Sequence, residues 1–328
     1  MALILGIESS CDETSVAIVE NGESVLSEKT ASQINIHALY GGVVPEIASR
    51  YHLEKISILV KMVFEETKID PKKISAIAVT YGPGLVGPLL VGLSYAKALS
   101  FALKVPLIGV NHMIGHLNAV FLFDKNIDFP CAVLMISGAH TEIVYMKSMD
   151  DFEILGKSID DAAGEAFDKV ARMLDLPYPG GPQIDKISKD GKPIYKFTKP
   201  KTVGKYDFSF SGLKTHIRYF LKDNPGVKVE DVAASFQETV SSILIEKIVK
   251  AAKAYNVRDV VIAGGVAANS AVRRKTEEAG RKNDLVFHFP PLRYCTDNAS
   301  MIAAAGWHDY KAGKFADFNL NAVPNLEV

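Results

Sequence analysis

One pattern, present twice, constrains the fold of this chain more than any other. From Ile4 to Val19 and again from Cys131 to Met146, an apolar run leads into a short polar turn and then into a second, returning run. The first turn is Glu8-Ser9-Ser10-Cys11-Asp12-Glu13-Thr14, and the second is Ser137-Gly138-Ala139-His140-Thr141. Two such hairpins roughly 130 residues apart predict a duplicated α/β nucleotide-binding fold, two lobes around a cleft, with the turns facing one another. A third strand-to-turn element fits the plan. Val260 to Ala263 reads as a strand, and Gly264-Gly265-Val266-Ala267-Ala268-Asn269 turns from it into a helix. Nucleoside or phosphate can lie against such glycines, with Asn269 supplying hydrogen bonds.

Further strands are expected over residues 3–7, 15–20, 24–30, 74–80, 105–110, 131–136 and 142–146. Helical spacing is read over about 45–68, 89–103, onward from Asp161, 232–248 and 301–307. The turn Gly82-Pro83-Gly84-Leu85-Val86-Gly87-Pro88 follows a strand, but no Gly-Lys-Ser or Gly-Lys-Thr follows it, so it is not a Walker loop. Pro177 to Pro182 is expected to be a rigid turn, with a helix resuming at Gln183. Asp168 and Asp185 flank it, either as solvated acids or as a hold for ribose hydroxyls.

Val110-Asn111-His112-Met113-Ile114-Gly115-His116 carries the chemistry most open to test. Imidazoles four residues apart on a helix share one face and can close on a single ion if a third group arrives from elsewhere. A zinc-peptidase helix needs a glutamate directly after the first histidine, and Met113 stands there. Asp297, at the start of a small-residue helix, is either an N-cap or that third ligand. Asp12 and Glu13 can hold a cation or take a proton.

With 37 basic against 38 acidic residues, nothing global asks for nucleic acid, so any RNA contact needs a local patch. The candidate is the stretch 192–219, where Lys192, Lys196, Lys199, Lys201, Lys205, Lys214 and Arg218 alternate with Tyr195, Phe197, Tyr206, Phe208, Phe210 and Tyr219. Lysines beside stacking rings suit single-stranded or looped RNA. Three widely spaced cysteines suggest neither a disulfide framework nor a zinc ribbon, and the N-terminal residues lack the basic and apolar regions of a signal peptide. No apolar run is expected to reach membrane-spanning length, and a reducing cytoplasm is the expected compartment.

Together, Glu8–Thr14, His112-x-x-Gly115-His116, Ser137–Thr141, Gly164-Glu165-Ala166-Phe167-Asp168-Lys169, Gly264-Gly265-Val266-x-x-Asn269 and Thr296-Asp297-Asn298-Ala299 resemble the TsaD family of tRNA N6-adenosine threonylcarbamoyltransferases. Gly41-Gly42-Val43-Val44-Pro45-Glu46 resembles its bacterial branch. The resemblance implies an actin-like (ASKHA) fold, with one lobe over 1–125 plus 305–328 and another over 126–304 that carries the basic insertion. It implies one divalent metal on His112, His116 and Asp297, with Fe2+ placed ahead of Zn2+. It also implies a substrate cradle of Met135, Ile136, Ser137, Gly138, Ala139, Asp168, Gly181, Asp185 and Asn269. Asp12 and Glu13 are the candidates for proton handling. The implied reaction moves a threonylcarbamoyl group from threonylcarbamoyl-AMP to N6 of adenosine 37 in tRNAs reading codons that begin with A. Implied partners are tRNA, a TsaB-like paralogue and a TsaE-like ATPase. A metallopeptidase and an actin-like small-molecule kinase are the alternatives. Ala139 departs from the family, which usually has a second glycine there; a backbone requiring positive φ would make alanine unfavourable.

Overall fold

The computed structural model describes residues 1–327. The chain divides into two compact units, Met1–Phe123 with the stretch from Thr296 onward, and Asp124–Cys295. In the first unit β1 (Leu3–Glu8) is buried along its whole length, as its unbroken apolar sequence predicts for a strand covered on both faces. β2 (Glu13–Glu20) returns antiparallel to it, pairing Ser15 with Glu8, and β3 (Ser24–Ser32) forms the edge. Only residues 9–12 are left to join β1 and β2, so the turn is tighter than its seven-residue polar sequence implies.

A short α1 (Ile34–Ala38) precedes α2 (Pro45–Thr67). Pro45 opens α2 where a backbone N–H has no helical partner to lose, and Ala48, His52, Ile56, Leu59, Val60 and Val63 form its buried side. β4 (Ala76–Gly82), α3 (Val86–Leu103), β5 (Leu107–Asn111) and α4 (His112–Phe123) follow. The sheet order is β3-β2-β1-β4-β5, with β4 and β5 parallel to β1. α3 starts three residues before the expected Leu89 and holds one charged residue, Lys97. By length and composition it is apolar enough to cross a membrane, contrary to the expectation of no such run. Its buried residues Leu89, Gly92, Leu93 and Ala96 belong to the unit's interior, where an apolar face is explained by core packing.

The second unit opens with β6 (Cys131–Ile136), β7 (Thr141–Met146) and β8 (Phe152–Lys157). α5 (Ala163–Met173) and α6 (Gly180–Ile187) follow, and α6 takes up Gly180 to Pro182, residues expected to be turn. Beyond an irregular stretch lie α7 (Ser211–Asp223), α8 (Val229–Ala254), β9 (Asp259–Ala263), α9 (Ser270–Asn283) and β10 (Val286–His288). The sheet order is β10-β9-β6-β7-β8. Both units thus place their first strand centrally, with two antiparallel strands on one side and two parallel strands on the other. The duplication legible in the two hairpins extends to whole sheets.

α10 (Ala299–Lys311) belongs to the first unit. The boundary expected at 304/305 therefore moves to 295/296, and that at 125/126 moves to 123/124. The reason is close packing: a Cβ on Gly6 of β1 would stand 2.3 Å from the Ala299 carbonyl, so glycine is what lets the start of α10 lie directly on the central strand. Ala303, Ala304 and Ala305 continue that contact with Ile4, Ala17, Ala78 and Val110.

Candidate metal centre and substrate cradle

α4 begins at His112, directly after β5. The Asn111 side chain accepts the Met113 N–H at 2.8 Å and starts the helix. One turn later His116 lies under His112, their ring centroids 4.7 Å apart and edge to face. Asp297 reaches them from the segment that leads into α10. Its Oδ1 stands 3.1 Å from His116 Nε2 and 3.4 Å from His112 Nε2, and one donor atom from each of the three residues lies within 4.8 Å of the others. Of the two roles open to Asp297, the N-cap falls to its neighbour: Asn298 caps α10, accepting the Met301 N–H at 2.9 Å. Asp297 is thereby left to the histidines.

Behind His112 stands Glu8, the first residue of the polar turn and one to which its motif gave no role of its own. Its Oε2 lies 3.1 Å from His112 Nδ1, its Oε1 accepts the Ser10 N–H at 2.6 Å, and Thr80 donates to Oε2. A carboxylate on Nδ1 holds the hydrogen there and turns the Nε2 lone pair outward, the arrangement that supports metal-ligating histidines. The donor set fits a divalent ion: two imidazole nitrogens and a carboxylate converge, with a second carboxylate fixing one tautomer. Met113 is buried and apolar, so no general base occupies the peptidase position.

Charge in this corner is strongly interdependent. Burial alone would raise the Asp297 carboxyl, but the facing His112 and His116 outweigh it and hold the group well below its ordinary range. Glu8 is likewise lowered, His112 prevailing over burial. Burial disfavours a charged His112, yet Asp297 and Glu8 raise it well above the usual imidazole value. Glu13 moves the other way. Its burial, with Asp297 and Asp12 nearby, raises it well above a normal carboxylate, which favours the protonated acid. Burial and then Asp12 raise the Cys11 thiol as well, so Cys11 is a poor thiolate.

The residues expected to form the cradle all lie in the second unit: at the end of β6 and in the turn after it, in α5 and α6, and after β9. Gly264 has φ +91°, and a Cβ there would meet the Ile136 carbonyl at 2.5 Å, so glycine is required where the two strand ends meet. Met135 and Ile136 have side chains in the core, leaving only their backbone to face a ligand. Ser137 N–H donates to the His140 carbonyl and the Ser137 carbonyl accepts from Gly164 N–H, which joins the turn to α5. Asp168 accepts the Gly180 N–H at 2.7 Å beside Gly181. Asp185 accepts from both the backbone and the hydroxyl of Ser270. Asn269 caps α9 through Ala271 and Val272 N–H and donates to Gln237 at 2.8 Å. The polar side chains expected to reach for substrate therefore also hold the cradle together. Ala139 is exposed and lies outside the left-handed region, so its Cβ imposes none of the expected backbone strain.

The basic segment differs from expectation. Phe197, Tyr206, Phe208 and Phe210 belong to the second unit's hydrophobic core, so they are not a stacking platform for bases; Tyr219 is exposed beside Arg218. Lys199 pairs with Glu246, and Lys214 with Asp161. Lys192, Lys196, Lys199, Lys201, Lys205 and Arg218 are exposed.

The fold is also found in solved structures of low sequence identity. Component A of (R)-2-hydroxyglutaryl-CoA dehydratase from Acidaminococcus fermentans matches with a TM-score of 0.58 at 15% identity, over 95% of this chain and 99% of that one. HypF of T. kodakarensis matches at 0.66 and 16%, over 97% of this chain and 49% of that one. The class is an actin-like duplicated α/β protein bearing a histidine–carboxylate candidate metal centre. The signature of TsaD, tRNA N6-adenosine threonylcarbamoyltransferase, matches residues 24–304. Relatives of that name are 58% identical in Carboxydothermus hydrogenoformans, over 99% of this chain and 97% of the relative, and 53% identical in Thermosipho africanus, over 99% and 100%. The chain belongs to the TsaD family of tRNA N6-adenosine threonylcarbamoyltransferases.

Proposed function

We propose that this protein transfers a threonylcarbamoyl group from threonylcarbamoyl-AMP to N6 of adenosine 37 in tRNAs that read codons beginning with A. The near full-length match to transferases of that name carries the reading. The step is acyl transfer: N6 attacks the carbamoyl carbon, the bond to the phosphate oxygen breaks, AMP leaves and N6 gives up a proton. His112, His116 and Asp297 would hold one divalent ion, Fe2+ ahead of Zn2+, with Glu8 fixing the His112 tautomer. Such an ion supplies Lewis acidity toward an acyl or phosphate oxygen.

The protein's own groups do the rest. Asp12 and Glu13 handle the proton: burial favours the protonated form of Glu13, so Asp12 is the acceptor for the proton that N6 gives up and Glu13 donates a hydrogen bond beside it. Backbone around Ser137 to Ala139 and Gly181, with Asp168, Asp185 and Asn269, orients the donor. The exposed lysines from Lys192 to Lys205 meet tRNA phosphates. The cytoplasm, where tRNA is found, is the proposed site of action. A TsaB-like paralogue and a TsaE-like ATPase are proposed partners.

The deciding experiment supplies threonylcarbamoyl-AMP, metal-loaded protein with these partners, and tRNA with adenosine 37, then analyses digested nucleosides by mass spectrometry. Threonylcarbamoyladenosine forming in step with AMP is the expected result. Its absence, together with peptide cleavage or ATP-dependent phosphorylation of a small acceptor, would establish the peptidase or kinase alternative instead.

A further inference from the structure

Three fully buried polar side chains in the first unit, Gln33, His37 and His52, have no part in the chemistry above. We infer that His52, braced by Gln33 and His37, is a positioning residue that holds the backbone of the Glu8–Thr14 turn in its reactive geometry. The inference rests on the reading of that turn as the proton-handling part of the site.

The hydrogen-bond directions follow from which atoms can only accept. His52 Nε2 lies 2.9 Å from the Cys11 carbonyl; a carbonyl only accepts, so Nε2 carries the hydrogen. Nδ1 is then bare, and it accepts the Thr14 hydroxyl at 2.7 Å. His37 is oriented by the same logic. Its Nδ1 accepts the Val44 N–H at 3.3 Å, so its Nε2 carries the hydrogen and donates to Gln33 Oε1 at 3.1 Å. Gln33 Nε2 lies 3.3 Å from the protonated His52 Nε2 and donates instead to the Ala48 carbonyl at 3.5 Å. The Gln33 backbone N–H donates to the Asp12 carbonyl at 3.0 Å. Two successive carbonyls of the turn, those of Cys11 and Asp12, and the hydroxyl of Thr14 are thus held from one side by a network that α1 and α2 keep in place.

A neutral network is what this turn needs. Glu8, Asp12, Glu13 and Asp297 act on one another electrostatically, so a new charge beside the turn would shift all of them. A lysine or arginine in the place of His52 would hold the backbone but compete with His112 for those carboxylates. A neutral imidazole ties down the carbonyl and leaves the charge pattern alone, and burial, the largest influence on His52, keeps it neutral.

The test uses the full chain with its partners, threonylcarbamoyl-AMP and tRNA, and compares His52→Ala, His52→Gln and Thr14→Val. His52→Ala is expected to lower kcat about tenfold or more, with KM and bound metal within about twofold of the parent. His52→Gln, which keeps a donor for the Cys11 carbonyl, should recover most of the loss. Folded, metal-loaded His52→Ala with unchanged kcat overturns the inference, as does a kcat loss that His52→Gln does not recover. If His52→Ala does not fold, the nearly isosteric Thr14→Val decides: reduced kcat at constant KM supports the inference, and unchanged kcat ends it. Asp12→Ala and Glu13→Ala run alongside. Normal turnover in both together with slow His52→Ala rejects the proton-handling reading alone, whereas slow turnover in both with normal His52→Ala rejects the positioning role alone.

Discussion

Glu8 closes a strand whose other five residues are Leu, Ile, Leu, Gly and Ile, and an acid that finishes such a run is buried with it. That was a readable signal of a buried carboxylate in need of partners. What the sequence does not show is the 104-residue jump to His112, which depends on how β1 and β5 flank β4. Glu8→Gln keeps the size and loses the charge, so titration of metal-free protein with Fe2+ or Zn2+ should show affinity weakened about 10- to 100-fold. His112→Ala and His116→Ala should remove most bound metal by elemental analysis; unchanged content in both would dismiss the centre. Asp297 shows a different limit: Asp-Asn-Ala starts a helix equally well with either polar residue as cap, and only the fold assigns the cap to Asn298. His52 supplies a pH test. Burial holds its folded pKa below the ordinary 6.5, so the unfolded chain binds the proton more readily. Its contribution to stability is present above about pH 6.5 and is lost as pH falls through the lowered folded value. Denaturation midpoints should decline across that acid window, and His52→Gln should flatten that part of the decline; an identical slope in both proteins would exclude His52 as its source.

Regular elements were legible because they have a period: β1, β2, β6, β7, α2 and α8 lie within a few residues of where alternation or helical spacing puts them. The stretch from Lys192 to Phe210 has none, and without a period nothing tells which rings turn inward. Four of them join α5 and α8 in the core, so that RNA contact there depends on charge alone. Reversing Lys196, Lys201 and Lys205 to glutamate should weaken tRNA binding and reduce the slope of log affinity against log salt by roughly 0.7 to 0.9 for each phosphate no longer neutralised. A slope equal to the parent's would mean these lysines face only solvent. α6 shows the same limit in a smaller way. Gly-Gly-Pro reads as a breaker, yet Pro182 occupies the third position of the helix, where its missing N–H has no intrahelical partner to lose.

The matching hairpins made the duplication visible, but β3 and β8, edge strands with mixed polarity, were weakly marked because only partial burial patterns them. Each unit has its own core, so damage should stay local. Phe236→Ala in α8 removes a fully buried ring and should cost about 3–5 kcal/mol. Amide hydrogen exchange should then speed up in β6, β9 and α8 while β1 and β4 keep their protection; uniform loss would mean that the two units unfold as one. The candidate metal ligands belong to one unit, yet His116 and Asp297 lie 181 residues apart along the chain, with the whole second unit threaded between them. During synthesis, residues 124–295 leave the ribosome as an unbroken stretch able to fold on its own schedule, while the earlier strands wait. Ile4, Ala17, Ala78 and Val110 lack the α10 side of their cover until that helix has been made, and His112 and His116 lack the proposed third ligand until Asp297 follows. A nascent chain stalled before Thr296 therefore leaves the α10 side of the first sheet exposed to chaperones, and its histidine pair lacks the carboxylate that completes the candidate centre.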